Sequence, residues 1–326
     1  MLNFIRRESS AETFVAYVGK RPTVKRVNLV KTLSLLALAC TALPAAAQTV
    51  FTDSFESGNL SHTQGGIKWA SSANVSVYSG FGHTGSHCLK FAYPAGSPAV
   101  GSTAEQRFNL GANYPELYLE WYAYYPNGTE GLGPRFVHEA ASPGNDKFLR
   151  LWSGNQSDGN DGYSQFTVKA GASTDVGGVA AGDEKIFAEY GENMLGVGPF
   201  GTTGSQPSSS FQSFITDSYR GRWIDIKVHV KAASSANNDG VIQIWRDGVQ
   251  IVSATNLPTY PSGGAGNYYN FGYLLGWANA GFAQATNVYI DDVTFSTTSS
   301  TATSGGGGGG SSTTAVPEPP ASVTVQ

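Results

Sequence analysis

The chain has 326 residues, room for one large domain or two ordinary ones, with only 13% charged residues but 40% apolar, 12% aromatic and 41 glycines. That composition excludes wholesale disorder and describes a turn-rich, β-rich protein able to bury a sizeable core. Seven of the 20 basic residues but two of the 24 acidic ones precede residue 48, leaving 13 against 22 beyond it, about −9, which argues against nucleic acid as a partner.

Residues 1–47 read as a secretory signal with an extended n-region. Arg6, Arg7, Lys20, Arg21, Lys25, Arg26 and Lys31 lead into the apolar run Leu33-Ser-Leu-Leu-Ala-Leu-Ala39, and Ala45-x-Ala47 sets cleavage after Ala47. An apolar run of ~15 residues is too short to cross a bilayer, so no transmembrane segment is expected in the mature chain. Lipidation at Cys40 is the alternative, although Ala37-Leu38-Ala39 matches a lipoprotein box poorly. Cleavage leaves Cys88 alone, so no internal disulfide is expected despite export. Cys88 reads as a small buried hydrophobe. The expected location is secreted, periplasmic or cell-surface, and the expected state is a monomer.

From residue 48 to about 297 the hydrophobic period is two. Short strands are expected at 75–78, 87–93 and 104–109. Leu117-Tyr-Leu-Glu-Trp-Tyr-Ala-Tyr-Tyr125 sets Leu117, Leu119, Trp121 and Ala123 against Tyr118, Glu120, Tyr122 and Tyr124. Strands follow at 135–139, 147–152 and 164–168, then Trp223-Ile-Asp-Ile-Lys-Val-His-Val-Lys231 alternates again, with His229 on its polar, solvated face. Val241 to Arg246 reaches Asp247-Gly248, a hairpin turn signal, and Val249 to Val252 returns. Strands at 268–277 and 287–295 complete an all-β fold, a two-sheet antiparallel jelly-roll sandwich over 48–297. Residues 298–326, with Gly305 to Gly310 in succession, are a Gly/Ser/Thr/Pro-rich disordered tail.

Several of these strands carry rings and polar groups on one face. Tyr118, Glu120, Tyr122 and Tyr124 either pack beneath a loop or line a concave sheet suited to a polysaccharide, whose sugars offer C–H faces to rings and hydroxyls to carboxylates. The pattern recurs in Phe148, Arg150 and Trp152, and in Tyr269, Phe271, Tyr273, Leu275 and Trp277. Arg150 has a second reading, as the partner of Glu120 in an ion pair between neighbouring strands. At the domain ends, Asp53 and Glu56 on the first strand and Asp291 and Asp292 on the last could together hold a structural Ca²⁺. Asp158 and Asp161 form a weaker loop candidate. His62, His83 and His87 lack a zinc-ligand spacing, and no other cofactor is expected.

Glu116-Leu-Tyr-Leu-Glu-Trp-Tyr122, Lys147-Phe-Leu-Arg-Leu-Trp152, Gly221-Arg-Trp-Ile-Asp-Ile-Lys227, Asp239-Gly-Val-Ile-Gln-Ile-Trp-Arg-Asp-Gly248 and Tyr269-Asn-Phe-Gly-Tyr273 occur in that order. Together they resemble the polysaccharide lyase-like and heparin lyase I-like proteins of the concanavalin A-like lectin/glucanase superfamily, over most of 50–297. The resemblance implies β-elimination at an acidic sugar, which needs a cation or amide on the uronate carboxylate and a Tyr or His to move the proton. In jelly-roll lyases a late strand Tyr-Phe-Lys-x-Gly-x-Tyr carries a catalytic tyrosine, and Tyr269-Asn-Phe-Gly-Tyr273 is its nearest counterpart. Tyr273 is thereby the candidate acid or base, with Asn270 and Phe271 standing where a basic residue would be. His138, in Arg135-Phe-Val-His-Glu139, is the candidate base, and Arg135, Lys147 or Arg150 the carboxylate neutraliser.

Other readings stay open. A non-catalytic carbohydrate-binding or surface-adhesion domain would use the same rings without chemistry. An envelope-associated structural protein is a further possibility. A glycoside hydrolase ranks lower, since the paired carboxylates of a Glu-x-Asp-x-x-Glu strand are absent. No Gly-x-Ser-x-Gly elbow supports a serine nucleophile.

Overall fold

The computed structural model describes residues 48–96, 101–137, 146–153, 166–171, 184–190, 212–234, 239–257, 267–278 and 281–297; for 166–171 and 184–190 it describes the backbone alone. The leader, the tail, His138, Asp158 and Asp161 lie outside the described residues. All described residues belong to one compact unit, Pro44–Gln326. No helix among them is long and apolar enough to cross a membrane.

Among the described residues sixteen strands form two antiparallel sheets, as the period of two predicts. The first sheet runs β14(Val249–Leu257), β13(Gly240–Arg246), β12(Trp223–Lys231), β7(Glu116–Tyr124), β16(Thr286–Ser296), β5(His87–Tyr93), β4(Val75–Ser79), with β1(Thr49–Asp53) also on β16. The second runs β11(Gln212–Ile215), β10(Glu184–Tyr190), β9(Phe166–Gly171), β8(Asp146–Trp152), β15(Tyr269–Ala278), β6(Ser102–Tyr114), β3(Ile67–Ala73), β2(Thr63–Gln64). The first and last strands are adjacent, β1 pairing with β16. The expected strand at 135–139 does not form over Arg135–Val137.

Alternation decides which side chains meet between the sheets. Leu117, Leu119, Trp121, Ile224, Ile226, Val228, Val230, Ile242 and Ile244 from the first sheet pack with Phe108, Leu110, Leu149, Leu151 and Leu274 from the second in one buried core. Asp247 (φ 49°) and Gly248 (φ 74°) both lie in the left-handed region, the conformation a two-residue hairpin needs for its twist. Cys88 is fully buried, and burial pushes its thiol up to about 12, so it behaves as packing rather than as a nucleophile.

Within the second sheet, Gly272 on β15 is hemmed in by both neighbouring strands, its backbone pairing with Phe108 on β6 and Leu151 on β8. A Cβ there would sit 2.6 Å from the Arg150 carbonyl oxygen and 2.7 Å from Leu151 Cδ2, and would also strike the Phe108 ring. Because one of these obstacles is backbone, β8 and β15 would have to separate. Gly272→Ala is expected to destabilise the fold by about 1–3 kcal/mol, read as a melting temperature lowered by several degrees.

Candidate active site on the outer face of the second sheet

β8, β15 and β6 lie side by side, and their register sets three polar side chains in one row. Tyr273 on β15 pairs with Arg107 on β6 and with Arg150 on β8. Residues directly opposite on neighbouring strands point to the same face, so the hydroxyl stands between two guanidinium groups. With Glu105, Lys147, Trp152 and Trp277 they line a groove of about 220 Å³ holding three cations and one carboxylate.

Each charged group is braced. Glu105 Oε1 accepts from Arg107 Nε at 2.5 Å, and the Arg107 guanidinium lies 5.9 Å from the Trp152 ring centroid. Trp152 in turn stacks on Phe271 and meets Tyr273 edge-on, with centroids 6.2 and 5.8 Å apart. Arg150 donates a hydrogen bond to the Tyr273 hydroxyl and is itself 8% exposed. Tyr273 is 4% exposed, and burial raises its pKa above the usual phenol range against the opposing pull of Arg150 and Arg107. The hydroxyl is therefore protonated at neutral pH, ready to donate to an oxygen arriving in the groove.

Of the expected site residues, Tyr273, Arg150, Lys147, Trp152 and Trp277 come together here. Trp152 is 1% exposed and acts as a support beneath Arg107 and Tyr273 rather than as an open sugar platform. Tyr269 is fully buried in the core, because pairing with β6 shifts between Tyr269 and Phe271 and turns its ring inward. Phe148 is likewise a core residue, after a shift between Lys147 and Leu149. Arg135 is not in the groove. Its guanidinium is paired with Asp217, which Arg220 also contacts, tying the 126–137 loop to the turn Asp217–Tyr219. Arg107 and Glu105 were not foreseen, although the alternation of Thr103, Glu105, Arg107 and Asn109 against Ala104, Gln106 and Phe108 carried the signal.

Tyr118, Glu120, Tyr122 and Tyr124 lie on the outer face of the first sheet, with the core between them and Tyr273. They share no groove with β15, and Glu120 cannot pair with Arg150; it faces Lys227 at 3.7 Å instead. Their rings are spent on protein partners: Tyr118 stacks on His229 with centroids 4.0 Å apart, Tyr122 on His83 at 3.5 Å, and Tyr124 donates to Glu130 at 3.0 Å. His229 is buried rather than solvated, its Nε2 2.7 Å from Glu116 Oε1 and its Nδ1 2.9 Å from Gln243 Oε1.

The four acids at the domain ends are each engaged by protein groups, and Asp53, Glu56 and Asp292 line one cavity. Asp53 accepts from Trp69 Nε1 at 2.7 Å and from the Phe55 amide at 2.8 Å. Glu56 accepts from the Ser86 and His87 amides, which holds its pKa low. Asp291 accepts from the His83 amide, and Asp292 engages His83 Nδ1 and the Thr84 hydroxyl. Among the described residues no three His, Cys, Asp or Glu side chains group to hold a metal ion. Glu56, Asp291 and Asp292 latch the segment 83–87 to the turn after β1 and to β16, while Asp53 fixes Trp69.

Asp225, beside Tyr122 on that outer face, encloses one carboxylate oxygen without a hydrogen-bond partner. Burial, then the nearby Glu120 and Asp247, raise it to about 6. A raised folded-state pKa means that the unfolded chain ionises first, so this group costs stability as pH climbs from about 4 to 6 and the full cost persists above. Asp225→Asn is expected to raise the melting temperature at pH 7 and to leave it nearly unchanged at pH 4, measured by thermal unfolding at both.

A model of the polysaccharide lyase family matches residues 55–294. No curated protein matches the sequence. Among solved structures the fold is similar to an endo-β-1,4-glucuronan lyase from the fungus Trichoderma reesei, at 15% identity over 77% of this chain and 96% of that one, with a TM-score of 0.49. It is also similar to the alginate lyase vAL-1 from Chlorella virus, at 12% identity over 76% and 98% of the two chains, with a TM-score of 0.46. A third likeness is to a laminarinase from Flavobacterium sp. UMI-01, at 10% identity over 76% and 100%, with a TM-score of 0.42.

Proposed function

The chain belongs to the polysaccharide lyase family, and from that premise we propose that it cleaves a uronate-containing polysaccharide by β-elimination in the groove on β6, β8 and β15. The observation that carries the reading is the row Arg107–Tyr273–Arg150. A uronate carboxylate drawn to Arg150 and Arg107 loses its negative charge in effect, which acidifies the C5–H beside it. A base removes that proton, the electron pair forms the C4–C5 double bond, and the C4–O4 bond breaks. Tyr273 gives its proton to the departing O4 and is reprotonated from solvent. His138 is the base we assign on residue type. Lys147, at the rim, adds to the field that attracts a polyanion to a chain otherwise acidic.

The test is direct. Purified protein incubated separately with alginate, glucuronan, pectate and heparin should raise the absorbance near 235 nm with one of them, as unsaturated ends accumulate. Retention of a glycan with no such rise would instead favour a binding module. Export through the signal at 1–47 belongs to the same proposal, and N-terminal sequencing of secreted protein should begin at Gln48.

A further inference from the structure

Resting on the lyase reading of the groove, we propose that Trp277 is a sugar-stacking platform at one end of it and that Gly101 is the residue that positions its indole. Three observations converge. β15 bulges at Leu275 (φ 56°) and Gly276 (φ 144°), and its pairing with β8 skips from Leu274 to Ala278. Leu275 therefore leaves the outer face and joins Leu274 in the core, while Trp277, opposite Thr103 on β6, stays on the face of Tyr273.

Trp277 then lies against the backbone of Gly101. A Cβ on Gly101 would sit 2.6 Å from the indole Nε1 and closer still to Cε2 and Cζ2, so only glycine admits the ring in this position. Despite that contact Trp277 stays 43% exposed, one of two large apolar side chains so open among the described residues. It also lines the groove that holds Tyr273 and Lys147. Trp152, the other indole of the groove, is closed off.

An exposed indole backed by main chain is a rigid apolar surface that gains from covering, and the C–H face of a pyranose fits it. Tyr273 and Trp277 are four residues apart, at most about 13 Å along the strand, so the platform receives a sugar outside the bond being cleaved. It holds by stacking rather than by charge. Its contribution therefore favours longer chains and resists salt, unlike that of Arg107, Lys147 and Arg150.

With the polymer found to be cleaved, Trp277→Ala is expected to raise KM about 10-fold with kcat within 2-fold, and to matter less for the shortest oligosaccharide cleaved. Gly101→Ala, which keeps the indole but displaces it, should raise KM similarly, and Trp277→Phe should recover part of the loss. In the Tyr273→Phe background, titration with unsaturated oligouronates should change tryptophan fluorescence, and adding Trp277→Phe should abolish that change. Unaltered KM in both Trp277→Ala and Gly101→Ala, in active enzyme, would overturn the platform and leave the lyase reading standing. If wild-type protein cleaves none of the four polymers, the lyase reading fails. The fluorescence titration, run then with oligosaccharides of each polymer, still decides the platform, and an unchanged signal in Trp277→Phe overturns it.

Discussion

Tyr273→Phe is expected to lower kcat on the cleaved polymer by about 10²–10⁴-fold, the range a positioned general acid supplies, with the fold intact. The substitution removes one oxygen from a side chain that is 4% exposed, leaves the ring that packs edge-on against Trp152, and deletes the only proton the ring can offer O4. Because burial raises the phenol above its usual range, the wild-type hydroxyl is protonated throughout neutral pH, so the loss should be uniform from pH 6 to 8. KM should change little, since Arg107 and Arg150, the carboxylate clamp we propose, are untouched. A variant that keeps more than a tenth of wild-type kcat at 235 nm would remove Tyr273 from the reaction.

Arg150→Met is expected to reduce kcat/KM by about 10²–10³-fold, the loss typical of removing one group aimed at developing charge. Methionine fills much of the volume of a side chain that is 8% exposed, so the fold should persist and thermal unfolding should confirm it. On the proposed β-elimination the charge is what matters, because proton removal at C5 would place negative charge on a carboxylate bound at this arginine. Arg150→Lys should recover part of the activity. It retains a point charge but not the guanidinium that bonds the Tyr273 hydroxyl while facing substrate. Equal activity in Arg150→Met and wild type would shift the neutralising role to Arg107, whose own Met variant is the control.

Much of the sheet architecture was legible in the pattern of residues. The alternation in Trp223–Lys231 and Leu117–Tyr124 put the same side chains in the core as the structure does, and Asp247-Gly248 marked its hairpin. Positions failed where a strand departs from a period of two. Phe148 and Leu149 both reach the core, as do Leu274 and Leu275, and Tyr269 turns inward before Phe271. A shift in register moves a side chain to the other face, as at Tyr269, and a local bulge moves one residue alone, as at Leu275 between Tyr273 and Trp277. Alternation alone therefore grouped Tyr269 with Tyr273, which lie on opposite faces.

The sequence by itself determined the all-β class and the position of most strands, the late one bearing Tyr273 included, since these follow from local periodicity and composition; the lyase likeness rested on the order of its motifs. It could not determine which strands become neighbours. Tyr118, Glu120 and Tyr122 look like a binding face along β7, yet β7 pairs with β12 and β16, whereas Tyr273 pairs with Arg107 and Arg150 from strands far along the chain. Strand order is set by how two sheets bury a shared apolar interior, a sum over the whole chain. The row of two arginines about one tyrosine exists only once that sum is made.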